Sequence, residues 1–214
     1  MLPEARQNVI DAMLSVAAML DGAHKTVAYY ERVLSKNVRG LYRGGMDAGA
    51  FVDDHIRLVE EQLRRAWNEG MRANDLDPSR DMKPEWEAIL QDVIAEEFTH
   101  IEDFAAAIEK AAAEEQPIDG ILGRVKMWAN RYNEVMNLAK LTTRPKDHYK
   151  WQIGSTVEHC STCQGLHGKV ATAKEWIASG YRPQGRMLEC GGWNCQCMLV
   201  YTEEPVTQEG TPKA

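Results

Sequence analysis

All five cysteines of this 214-residue chain lie in its last third, and none occurs in the first 159 residues. Cys160 and Cys163 form a C-x2-C pair, and Cys190, Cys195 and Cys197 follow after 26 intervening residues. Two residues between a pair of cysteines let both sulfurs face one metal ion. Two separated cysteine groups that close a tetrahedral thiolate site are typical of structural zinc. The spacing therefore predicts a zinc site that organises this part of the chain.

A tetrahedral zinc ion takes four of the five thiolates. We predict that Cys160, Cys163 and Cys190 are three of its ligands. Cys195 and Cys197 compete for the fourth position, because residues two apart on a strand face the same way.

His159 and His167 flank the first pair, but they are expected to lie outside the coordination sphere because thiolates already fill it. Tight turns around a metal require backbone with positive φ, which glycine adopts at little cost. The glycines expected to supply it are Gly165, Gly168, Gly191 and Gly192.

The same cysteines are also compatible with two disulfides and a spare thiol, or with free buried thiols. Disulfides require an oxidising compartment, and the N-terminal sequence Met-Leu-Pro-Glu-Ala-Arg lacks the pattern of a signal peptide. We expect the chain to stay in the cytoplasm where it is made, with reduced thiols. Five free thiols in so short a stretch are too dense for ordinary core packing.

The charge is unevenly distributed along the chain. The formal net charge is −7, but residues 150–201 carry five Lys/Arg and three Glu, which gives +2 there and −9 elsewhere. A charged fraction of 27 % excludes a membrane protein, and the apolar run from Val9 to Leu20 is too short to span a bilayer. The acidic balance does not favour a duplex-DNA-binding protein.

Apolar residues at spacings of three and four predict four helical segments before the cysteines. In chain order these segments cover residues 4–39, 47–74, 84–115 and 121–139. The first is one helix or two, since Asp21-Gly22 interrupts it. Asp47 is expected to N-cap the second helix after a hinge at 43–45. Such helices pack as a bundle or a hairpin array.

The cysteine-rich stretch has only short apolar segments. A short helix is expected from Thr172 to Ser179, with Thr172 and Glu175 as a capping box and Gly180 at its end. The segment 198–201 is typical of a short strand. Because these pieces bury little surface, the metal must supply folding energy, and zinc removal is expected to unfold the module while leaving the helices largely intact.

The predicted fold class is therefore mainly α. It comprises a helical domain over residues 1–145, a small zinc-stapled α+β module over 146–202 and a flexible tail over 203–214.

Catalytic motifs are not evident. Glu97 and His100 form an E-x-x-H, but di-iron bundles need two such motifs, so a ferritin-like oxidase is disfavoured and a solvent-facing pair is expected. The chain also lacks G-x-S-x-G, a phosphate-binding glycine loop, H-E-x-x-H and a zinc-deaminase pattern. We predict a protein without enzymatic activity. It is expected to dock partners through apolar surface left over near Trp67, Trp86 or Trp128.

The order of residues in the last third resembles the C-terminal domain of phage head morphogenesis proteins, the Mu F-like minor head proteins. The positions that carry the resemblance are Trp151, His159, Cys160, Cys163, Leu166, Gly168, Lys169, Trp176, Pro183, Cys190, Cys195, Cys197 and Leu199.

Three features depart from the family pattern. Gln196 replaces the usual Arg between the last two cysteines, and Gly192 occupies the position of a usual His, whose role Cys190 would take. In the helical part, residues 129–132 read Ala-Asn-Arg-Tyr where family members often carry an Arg-Thr pair.

The resemblance implies a non-catalytic component of the virion, present in few copies and made in the host cytoplasm. Its partners would be the portal protein at the portal vertex and other head proteins, with contact to packaged DNA left open. It implies no membrane association and no small-molecule substrate. The alternative is a cytoplasmic zinc-ribbon adaptor that binds nucleic acid or a regulatory protein.

Overall fold

The structure is a computed structural model that describes residues 27–155, 158–192 and 195–207. Within these residues, six helices precede the sheet: α1 (Val27–Tyr42), α2 (Ala48–Arg72), α3 (Pro78–Asp81), α4 (Pro84–Phe98), α5 (Ile101–Ala113) and α6 (Asp119–Thr143). The later elements are β1 (His148–Gln152), α7 (Ser161–Leu166), β2 (Val170–Thr172), α8 (Ala173–Ser179) and β3 (Met198–Thr202). The described chain is mainly helical with one small sheet, which confirms the coarse fold class.

The helix boundaries follow local capping chemistry. The Asp47 carboxylate accepts the N–H of Ala50 at 2.9 Å and begins α2, as the sequence predicted. That helix ends at Arg72, two residues before the predicted end. Of the first predicted segment, residues 27–39 lie in α1, and residues 4–26 lie outside the described part of the chain.

The predicted single helix over 84–115 is wrong, because the chain forms α4 and α5 with a break at Thr99 and His100. The Thr99 hydroxyl donates to the carbonyl of Glu96 at 2.7 Å and so competes with helical backbone bonding. The break lets Phe104 enter the core with no exposed surface.

The helical core forms around α2 and α6, which cross closely. Gly70 on α2 permits this approach, since an added Cβ would lie 2.4 Å from the carbonyl oxygen of Met136. Helices α1, α4 and α5 pack against α2. Trp67 is fully buried in this core, so it cannot contribute to a docking surface.

The cysteine-rich module is built on an antiparallel sheet with strand order β2-β1-β3. Its core contains Trp151 and Trp176, both fully buried, and it also takes in Leu141 from α6. Helix α8 packs against α6 as well. The module therefore shares its core with α6, one of the two longest helices described in the preceding domain.

Both predicted boundaries of α8 are confirmed. Thr172 and Glu175 form the capping box, and Gly180 ends the helix with φ 72°. The predicted strand at 198–201 is present as β3.

Residues 203–207 do not form the flexible tail that the sequence predicted. The Thr207 N–H donates to the Val170 carbonyl at 2.9 Å, and Glu204 pairs with Lys150 at 2.8 Å. These residues therefore belong to the module, while 208–214 lie outside the described residues. None of the described helices has the length and apolar character needed to cross a membrane.

Candidate metal centre

The first cysteine pair lies at the start of α7. Cys160 is the N-cap residue and Cys163 is the third residue of the helix, so one turn separates the two side chains. Cys163 is 2 % exposed, whereas Cys160 is half-buried. The C-x2-C spacing thus places both sulfurs at the same end of a short helix.

Glu189 connects the second cysteine group to that helix. Its carboxylate accepts the Ser161 N–H at 2.9 Å and also the Ser161 hydroxyl, and its own N–H donates to Thr162 Oγ1 at 3.2 Å. These contacts bring the adjacent Cys190 toward Cys160. Our sequence reasoning missed Glu189, because a single acidic residue before a cysteine carries no recognisable pattern.

The turns around the cysteines use glycine as predicted at three of four positions. Gly168, Gly191 and Gly192 have positive φ, whereas Gly165 does not, because it lies inside α7. A Cβ at Gly192 would lie 2.1 Å from the carbonyl oxygen of Gln184. Gly192 is thus required both for backbone conformation and for space.

Gln184 fixes the last two cysteines. Its side-chain amide donates to the carbonyls of Cys195 and Cys197, each at 2.9 Å, and its side-chain oxygen accepts from Asn137 on α6 at 3.3 Å. One buried amide therefore ties the closing part of the cysteine cluster to the helical domain.

The five sulfurs converge around Cys163. The sulfurs of Cys160, Cys163 and Cys190 all lie within 4.8 Å of one another, and so do those of Cys163, Cys195 and Cys197. The Sγ atoms of Cys163 and Cys195 are 4.0 Å apart, and all five thiols are free. Two sulfurs bound tetrahedrally at about 2.3 Å from zinc would lie roughly 3.8 Å apart. The cluster therefore has the dimensions of a thiolate metal site.

Burial and mutual proximity oppose ionisation of most of these thiols. Burial raises the pKa of Cys163, Cys190 and Cys195, and the neighbouring thiols raise each of them further. Burial also opposes ionisation of Cys160, but backbone N–H donors at Cys163 and Cys190 outweigh it and lower the pKa of this thiol. A cation among the sulfurs would favour the thiolate forms.

The donor set suits a soft metal ion. Both groups contain only cysteines, and within the described residues no carboxylate or imidazole joins them. Zinc and copper(I) favour such thiolates, whereas magnesium and calcium require oxygen ligands. His159 and His167 are not members of either group, and the exposed His167 ring accepts the Ile153 N–H at 3.4 Å.

Glu97 is not the solvent-facing residue that the sequence predicted. It has no exposed surface, and its Oε1 accepts from Arg131 Nε at 2.7 Å and from Arg186 Nη2 at 2.5 Å. His100 is exposed, as expected. The expectation failed because Arg186, which pairs with Glu97, comes 89 residues later in the chain.

Glu97 belongs to an ion-pair network between the helices and the loop that precedes β3. Glu134 on α6 pairs with Arg131 and also with Arg182 at 3.0 Å. Burial lowers the pKa of Arg131 and of Arg182, while nearby carboxylates raise it, Glu97 foremost at Arg131. The network therefore positions the cysteine-bearing loop on the helical domain.

Comparisons with known proteins leave the chain without an identified relative. It matches no protein-family model, no curated protein and no solved structure.

Proposed function

We propose that this chain is a phage minor head protein that acts at the portal vertex during head assembly and carries one structural zinc ion. The observation that supports the proposal is the convergence of five thiols on Cys163, in a sequence order that resembles the Mu F-like proteins. The compact cluster gives that sequence order a structural purpose, since it joins α7 to the later segment that carries Cys190 and Cys195.

We assign the zinc ligands to Cys160, Cys163, Cys190 and Cys195. The first three form one group of mutually close sulfurs, and Cys195 lies 4.0 Å from Cys163 while remaining partly exposed. Cys197 also lies within 4.8 Å of Cys163 and Cys195, and we assign it as the fifth thiol, which a tetrahedral zinc ion does not need. Four thiolates leave zinc no open position for water, which favours a structural role without catalysis.

Ion pairs within the protein disfavour the alternative of a nucleic-acid adaptor, because they neutralise most cationic side chains of the module. Lys150 pairs with Glu204, Arg182 pairs with Glu134, and Arg186 pairs with Glu96 and Glu97. Only two of the five cationic residues in 150–201, Lys169 and Lys174, have no such ion pair within the described residues. Little positive charge is left for phosphates, so a protein partner is favoured.

The proposal is tested by co-expressing the chain with the portal protein encoded beside it in the phage genome. We expect a complex that survives gel filtration, and we expect the chain in purified particles. A Cys160→Ser/Cys163→Ser variant, which lacks the first cysteine pair, should lose both properties. Failure of the portal protein to retain the wild-type chain, together with its absence from particles, would refute the proposal.

A further inference from the structure

A cavity of about 210 Å³ lies between the helical domain and the cysteine-bearing loop. The joint between α4 and α5 contributes His100, helix α6 contributes Arg124, Met127 and Trp128, and the loop contributes Arg186 and Gly192. Trp128 presents a small part of its ring there, since it is 7 % exposed, and Met127 is 48 % exposed. Glu97 also lines the cavity, where Arg131 and Arg186 pair with its carboxylate. The cavity thus combines an apolar surface with cationic groups and one carboxylate that is already paired.

The size of the cavity indicates the kind of occupant. Pockets for small-molecule ligands usually measure about 300–1,000 Å³, which is larger than this one. A single aromatic side chain from another protein needs less room, and such side chains commonly anchor protein interfaces by filling a small pocket. The volume therefore favours one anchoring side chain over a complete cofactor.

The charges around the cavity indicate what should flank that side chain. Arg186 is paired with Glu96 and Glu97, but the guanidinium of Arg124 has no ion pair within the described residues. It lies over the Phe104 ring, 4.5 Å from the centroid, and remains exposed. A carboxylate beside the anchoring side chain would complement this cation.

We infer that the cavity is a docking site for an acidic segment of a partner protein, with an aromatic side chain inside and a carboxylate on Arg124. The inference rests on the proposed function, because it assigns to this cavity the surface through which a head protein is held. It also places the docking site next to the cysteine-bearing loop, so that the metal-bound conformation would keep the site formed.

The test uses a synthetic peptide with one tryptophan between two glutamates, titrated into the full-length ¹⁵N-labelled protein. Two matched peptides replace both glutamates by glutamine or the tryptophan by alanine. The readout is the indole N–H resonance of Trp128, assigned with a Trp128→Phe variant. We expect the glutamate peptide to shift this resonance, the glutamine peptide to bind about fivefold more weakly, and the alanine peptide to have no effect.

The variant Arg124→Gln should bind the glutamate and glutamine peptides equally. Arg57→Gln is the control, because Arg57 is an exposed arginine on α2 that pairs with Asp54 and does not line the cavity. Equal affinities for the two peptides in the wild type, or an unaltered preference in Arg124→Gln, would overturn the inference.

The two experiments distinguish failure of the docking site from failure of the head-protein role. A portal complex without peptide binding at Trp128 would disprove the docking site and leave the head-protein role standing. Peptide binding with the expected charge dependence, but without any portal complex, would support the docking site and disprove the head-protein role.

Discussion

At the scale of single residues, Cys195 and Cys197 should differ in their effect on zinc. Both belong to the group around Cys163, but we propose Cys195, whose Sγ lies 4.0 Å from that of Cys163, as the fourth ligand and Cys197 as the spare thiol. Cys195→Ser should reduce bound zinc to well under one equivalent under a competing chelator, while Cys197→Ser should keep about one equivalent. Elemental analysis of protein purified under reducing conditions measures both. The opposite pattern would identify Cys197 as the fourth ligand.

His55 should make the stability depend on pH. Its ring is fully buried among Phe51, Phe104 and Trp128, and within the described residues neither ring nitrogen has a hydrogen-bond partner. Burial lowers the pKa of His55 from 6.5 to about 4. The unfolded chain therefore binds a proton first as the pH falls, so stability is retained above about pH 6.5 and lost toward pH 4.

The expected loss at His55 is about 2 kcal/mol between pH 7.5 and pH 5. Urea unfolding at the two pH values measures it, and a His55→Leu variant separates it from other titrating groups. The wild type should lose more stability than the variant by this amount. Equal losses in the two proteins would show that His55 does not couple folding to protons.

At the scale of structural elements, Arg131 should be essential to the contact of α4 and α6 with the cysteine-bearing loop. It pairs with Glu97 and Glu134, which are 0 % and 3 % exposed. Arg131→Met would leave Glu97 with Arg186 and Glu134 with Arg182, and removing one member of a buried ion pair typically costs about 3–5 kcal/mol.

Urea or thermal unfolding should show this cost for Arg131→Met. Arg57→Met, at an exposed ion pair with Asp54, should leave the free energy of unfolding nearly unchanged. Similar effects of the two single variants would argue against a stabilising network.

Local chemistry made several elements predictable from sequence. Asp47, Thr172 and Gly180 act on backbone within three residues of themselves, so the caps they form could be identified in advance. The break between α4 and α5 at residues 99–100 could not be identified in advance, because the apolar stripe continues through it. Whether the chain forms one helix or two there depends on packing with other elements.

The cysteine cluster was predictable for the same kind of reason, since ligand spacing in sequence reports a shared metal. The side chains that hold the cluster in place were not predictable from the sequence. Gln184 and Glu189 act through single hydrogen-bonding side chains that leave no periodic signal, and Glu97 depends on an arginine far along the chain.

At the scale of the whole molecule, the module and the helical domain should not respond to metal loss independently. Leu141 enters the core of the module, and the Glu97 and Glu134 carboxylates need arginines from its loop. Chelation in mild denaturant should expose residues 150–201 to protease. Most far-UV helical signal should remain, but the helices should unfold at lower urea concentration than in the metal-bound protein.

Limited proteolysis and urea titrations, each with and without chelator, measure these two effects. Arg131→Met already lacks the cation at the centre of the Glu97 and Glu134 ion-pair network. Chelation should therefore lower the urea midpoint of helix unfolding less in this variant than in the wild type. An unchanged urea midpoint in the wild type after chelation would show that the two parts are energetically separate. Complete loss of helical signal would contradict a helical domain with its own core.

We propose that four of the five thiols hold one zinc ion, and native mass spectrometry with thiol labelling tests this proposal. Protein purified under reducing conditions should have the mass of the chain plus one zinc ion, and all five thiols should resist labelling until a chelator is added, four because they bind zinc and Cys197 because it is buried. A mass four hydrogens below that of the fully reduced chain, without metal, would indicate two disulfides and contradict the account.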